Sequence, residues 1–98
     1  MRKTLQALLE DGFILVFNED RLDIVRTADA LVRAGCRNME VTCRISRPLE
    51  KLQRLRQEMP EFVIGAASLV DSPGMLSIYN RAHPEDPLPS VEEVVEYG

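Results

Sequence analysis

Three interruptions, Gly12, Gly35 and Pro60, constrain this chain more than anything else in it. Each closes a segment with helical apolar spacing, and each is followed within about three residues by a strand-like run. From Thr4 to Asp11, Leu5, Leu8 and Leu9 recur at helical spacing, and Gly12 is a natural residue just past a helix end. FILVF (Phe13 to Phe17) follows, a continuous apolar run of strand length that fits a strand buried on both faces. Asn18, Glu19 and Asp20 form a polar turn. Asp20 is the expected cap of the second helix, with Asp23 in its first turn near the positive dipole end.

Ile24, Val25, Ala28, Leu31 and Val32 carry the second helix's apolar stripe, and Gly35 stops it. NMEVTCR (Asn38 to Arg44) reads as the second strand. Ser46 is the expected cap of a third helix, with Pro48 in its first turn and Leu49, Leu52, Leu55 and Met59 packing on a sheet. After Pro60, FVIGA (Phe62 to Ala66) opens a third strand that extends towards Ala67 and Ser68. Ser72 and Pro73 start a short helix over Met75, Leu76, Ile78 and Tyr79, and HPEDPLP is a Pro-rich loop. Ser90 and Glu93 form a capping box for a last helix through Tyr97.

Strands joined by helices through short connections are parallel, with right-handed crossovers. The expected fold class is therefore α/β: about three parallel β/α units behind a leading helix. Gly98 closes the last helix where another strand is due. The chain thus reads as a single domain, residues 1–98, forming the amino-terminal portion of a longer β/α repeat.

Composition narrows the function. The chain is 45% apolar and 29% charged, ordinary values for a globular protein. Its net charge of -4 argues against a general nucleic-acid or anionic-membrane binder. No apolar run is long enough to span a membrane, and the amino terminus lacks the cleavage pattern of a signal peptide. Cys36 and Cys43, with no CxxC, are expected as reduced structural thiols in a cytoplasmic protein. Tyr79, Tyr97 and the helix methionines read as packing residues.

The second strand carries the unusual feature. Met39, Val41 and Cys43 point one way; Glu40, Thr42 and Arg44 point the other. Under a helix, the second set would bury unpaired charge at high cost. In a closed β/α barrel it would face inward and line a wet site at the carboxyl ends of the strands. The small residues Gly65, Ala66, Ala67 and Ser68 leave room there. Two plainer readings stand beside this one: a solvated strand face, and a purely structural charge network.

A carboxylate beside a cation suits general acid/base work. An arginine suits bidentate binding of a carboxylate, and Ser68 adds a hydroxyl donor. The set fits proton shuttling beside an anionic, keto-acid-like substrate. It contains no phosphate loop, metal motif or nucleophile elbow, and no cofactor is expected. His83, Glu85 and Asp86, with Glu40, are a weak basis for a metal site, and a solvated loop is the simpler reading.

ALVRAGCRNMEVTCR (Ala30 to Arg44), followed by PEFVIGAASLV (Pro60 to Val70), resembles the class I aldolases acting on 2-keto-3-deoxy-6-phosphogluconate and 4-hydroxy-2-oxoglutarate. In that family the second strand carries EVTxR, and the third reads close to VGAGTVL. The likeness spans roughly residues 13 to 70 and weakens beyond, where SPGMLSIYNRAHPEDPLP looks like an insertion. It implies part of a (β/α)8 TIM barrel, usually an oligomer, that cleaves an aldol to pyruvate and an aldehyde through a lysine Schiff base. Glu40 takes the place of the acid/base glutamate. Arg44 takes the place of the arginine that holds the keto-acid carboxylate. Ser68 stands where the family usually has threonine, and Ala67 replaces a glycine.

The family's Schiff-base lysine lies on the sixth strand, which this chain does not reach. The only lysines are Lys3 and Lys51, both on predicted helices. The 98-residue chain alone is therefore expected to be inactive in aldol cleavage. Three parallel strands leave two unpaired edges, so self-association or pairing with the remainder of a barrel is expected. The alternative is a non-catalytic β/α module for assembly or small-anion binding.

Overall fold

The computed structural model describes residues 2–70 and 72–97. In chain order the elements are α1 (Arg2–Asp11), β1 (Val16–Phe17), α2 (Ile24–Arg33), β2 (Asn38–Thr42), α3 (Pro48–Glu58), β3 (Val63–Ala67), α4 (Pro73–Ala82) and α5 (Val91–Val95). The fold is α/β, with three parallel strands in one sheet in the order β1-β2-β3. Such an arrangement is that of part of a β/α barrel.

The stop signals act as their chemistry requires. Gly12 and Gly35 adopt φ of 77° and 95°, left-handed values that cost glycine little. At the end of α2, Cys36 N donates to Leu31 O at 2.8 Å and Gly35 N to Val32 O at 3.0 Å. This pair of bonds is a complete Schellman motif. The closing role expected of Gly98 lies outside the described residues.

One face of the sheet carries the core. Phe17, Met39, Val41 and Ile64 meet Ile24 and Ala28 of α2, Leu52 and Leu55 of α3, and Val94 of α5. Val41 and Leu55 are 0% exposed. Leu49 and Met59 pack against this cluster, so the expected stripe of α3 is present, with Pro48 also buried. Tyr97 joins it, and its hydroxyl accepts from Gln53 Nε2 at 2.8 Å.

Several expectations are corrected. FILVF is not buried on both faces: Ile14 is 50% exposed and Val16 56%. Only Val16 and Phe17 form β1, and pairing is first felt one residue earlier, where Glu40 N donates to Leu15 O at 2.8 Å. β1 is an edge strand, and Ile14 and Val16 stay open while Phe17 is buried in the core.

Asp23, not Asp20, caps α2, accepting from Arg26 N at 2.9 Å. Arg47 in the left-handed region, not Ser46, is the N-cap of α3, and it offers no side-chain cap. α4 follows its Ser72 cap and Pro73 start but buries no residue; Met75 and Tyr79, expected to pack, are both exposed, as is Ile78. The capping box of Ser90 and Glu93 is present.

The Pro-rich segment is tethered. Asn80 accepts from Leu88 N at 2.8 Å and donates from Nδ2 to Leu88 O at 3.0 Å. His83 stacks on Tyr79 with ring centroids 4.0 Å apart, and its Nδ1 lies 2.9 Å from Tyr79 O. Among the described residues no cluster of three or more His, Cys, Asp or Glu gathers to hold a metal ion.

Candidate functional site

β2 ends at Thr42, so Cys43 and Arg44, expected in the strand, lie in the turn that follows it, where Cys43 N still donates to Ala67 O at 2.8 Å and prolongs the alternation. Met39, Val41 and Cys43 are buried towards the helices, at 1%, 0% and 1% exposure. Burial pushes the Cys43 thiol up, which disfavours the reactive thiolate and suits a structural cysteine. Asn38, Glu40 and Thr42 occupy the opposite face. In register, Glu40 pairs with Val16 on one side and Gly65 on the other, while Thr42 pairs with Ala67.

Glu40 is half-buried and does not belong to the helix-side core. A Cβ built on Gly65 would stand 3.8 Å from Glu40 Cγ, an ordinary contact, so the glycine leaves the volume of a side chain open beside Glu40. Thr42 is buried, at 1% exposure, at the carboxyl end of the strand. Its Oγ1 donates to Ser68 Oγ at 2.9 Å and accepts from Arg44 Nε at 3.3 Å. Arg44 and Ser68 are exposed. Ser68 holds φ of 62°, a left-handed conformation that non-glycine residues seldom adopt.

Arg44 and Ser68 are thus brought together through Thr42. Glu40 lies below them on the same face, about 6–7 Å along the strand from Thr42 at a rise of about 3.3 Å per residue. Arg44 and Ser68 also border a cavity of about 210 Å³ at the strand ends, whose wall includes Tyr79, Asp86 and Leu88. The alternation in the sequence pointed to Glu40, Thr42 and Arg44. It carried no sign that Tyr79 and Leu88 return to this rim. A larger cavity, about 710 Å³, lies between α2 and α3, and no strand residue lines it.

Two distant carboxylates hold the loop that carries Arg44. Asp20 accepts from Ser46 N at 2.8 Å and from Lys51 Nζ at 3.0 Å. Those bonds hold its carboxyl below the usual carboxylate range. Asp86 accepts from Arg47 N at 2.8 Å. At the other end of β2, the Asp11 side chain is 3% exposed and accepts from Arg37 N at 2.9 Å and Asn38 Nδ2 at 2.7 Å. The Arg37 backbone bond, then Asn38, lowers its pKa.

Neither lysine reaches the polar face by its contacts. Lys3 pairs with Glu61, and Lys51 with Asp20. Among the described residues no helix is long and apolar enough to cross a membrane.

No solved structure matches the chain. Residues 8–82 match the aldolase family described as KDPG and KHG aldolase. The match is wider than the likeness over roughly 13 to 70: it starts earlier and runs to the end of α4, so the first part of the expected insertion belongs to the family pattern. The parallel β/α units, the EVTxR strand and the small-residue strand beside it thus belong to one pattern, and the chain is a member of the KDPG and KHG aldolase family.

Proposed function

We propose that Glu40, Arg44 and Ser68 form the acid/base and carboxylate-binding part of a keto-acid lyase site. Arg44 and Ser68 hold the carboxylate of a 2-keto acid at the strand ends. Glu40 moves protons as an amine adds to the ketone carbon, water leaves, and the C–C bond of the aldol breaks to release an aldehyde; the remaining enamine then takes up a proton, and water adds back to free pyruvate and the amine. The observation that carries this reading is the contact of both Arg44 and Ser68 with one buried hydroxyl, on the strand face that also holds Glu40.

The amine nucleophile comes from outside these 98 residues, because Lys3 and Lys51 are both engaged elsewhere. The strands' open edges suit pairing with a further copy or with the remainder of a barrel. For the chain by itself, those lysine positions favour a second reading: anion binding without turnover.

Titration of the isotopically labelled chain with pyruvate tests the site. Amide shifts should cluster at residues 40–44 and 65–68, and Arg44→Leu should remove them. Shifts scattered over the surface, or unchanged in the variant, would overturn the assignment.

A further inference from the structure

We infer that Thr42 is the positioning residue that sets Arg44 and Ser68 for a carboxylate, an inference that rests on the reading proposed above for those two residues. A threonine hydroxyl has one proton and two acceptor lone pairs. Here all three are engaged. The proton goes to Ser68 Oγ at 2.9 Å; Arg44 Nε donates at 3.3 Å and Arg44 N at a longer 3.5 Å. Thr42 is also 1% exposed. It therefore has neither the free lone pair nor the access to touch a ligand, and it acts through its neighbours.

The direction of these bonds matters. Ser68 accepts from Thr42, so the Ser68 proton is left to donate elsewhere. Among the described residues Arg44 spends only Nε of its guanidinium, on Thr42, which leaves its terminal amino groups for bidentate pairing with an anion. The backbone fixes the same geometry from both sides. Cys43 N donates to Ala67 O at 2.8 Å, and Ser68 turns away with φ of 62°. A methyl in place of the hydroxyl keeps the shape and removes all three bonds at once.

Thr42→Val, Thr42→Ser and Arg44→Leu in the full 98-residue chain test this, read by two signals. The first is hydrogen exchange of the Arg44 Nε–H; the second is pyruvate affinity by titration. With Thr42→Val, Nε–H exchange should accelerate and pyruvate affinity should fall, each by at least about tenfold, the loss expected for a hydrogen bond to a charged group. Thr42→Ser should hold both within about threefold.

Unchanged exchange in Thr42→Val, or full affinity despite it, would overturn the positioning role. If Thr42→Val does not fold, the wild-type signal still decides: an Nε–H that exchanges as fast as a free arginine's refutes the contact. Failure of the site reading looks different. Wild type would then show no pyruvate binding and no response to Arg44→Leu, whatever the exchange at Nε reports.

Discussion

Glu40 and Gly65 face each other across the β2–β3 pair, and the missing side chain of one leaves the other's carboxylate uncovered. The distance of 3.8 Å from a built Cβ to Glu40 Cγ is an ordinary contact, so alanine fits there. Gly65→Ala should leave the fold intact and raise stability by up to about 1 kcal/mol, through a less flexible unfolded chain. Gly65→Leu should also fold, because its side chain points to an open face, yet it should abolish pyruvate-induced shifts at Glu40. Urea unfolding and titration together check both outcomes.

Treating the chain with pyruvate and borohydride should give no covalent adduct on Lys3 or Lys51. Each amine pairs with a carboxylate, Glu61 or Asp20, and neither contacts Glu40, Arg44 or Ser68. Intact-mass analysis decides this, and a mass gain mapping to either lysine would contradict it.

Leu55 is 0% exposed and sits against the sheet. Leu55→Ala should cost about 2–5 kcal/mol, from lost transfer energy plus the cavity left behind. In a domain whose whole stability is of order 5–15 kcal/mol, that is a large share. The urea midpoint should fall accordingly.

Acid should loosen the attachment of α1. The Asp11 carboxyl is held below its ordinary range by the Arg37 amide and Asn38. A carboxylate with a lowered folded-state pKa stabilises the fold above its unfolded pKa of about 4, and that contribution fades as pH falls through the folded value. Stability should therefore drop below about pH 4, and Asp11→Asn should flatten the pH dependence in that window. Chemical denaturation at several pH values is the measurement.

The sheet edges predict association. Among the described residues β1 and β3 each present an unpaired side, and Phe13, Ile14 and Val16 are at least half exposed beside one of them. Sedimentation should show self-association at micromolar concentration. A compact, stable monomer would count against it.

The parallel β/α order was legible because helical spacing and stop residues are local signals, and Gly12, Gly35 and Pro48 act where they stand. So was the polar face of β2, since alternation alone separates Glu40 from Val41. The caps were harder. Asp20 and Asp23 are both good caps by residue type, and the choice fell to Asp23 while Asp20 reached Ser46 and Lys51. The entry to α3 was not readable from its own residues, because the amides of Ser46 and Arg47 just before it are held by carboxylates 26 and 39 positions away. The alternation puts Thr42 on the right face, but the bond from its hydroxyl to Ser68 depends on a turn at Ser68 that no local motif announces.

The anchored turn before α3 has a wider meaning. Arg47 leans on Asp86, and Asp86 is part of a segment that Asn80 pins at Leu88. Only two residues separate Arg47 from Arg44. The proline-bearing segment is thereby a brace for the guanidinium, so sequence drift there would retune grip on an acid ligand without ever touching it.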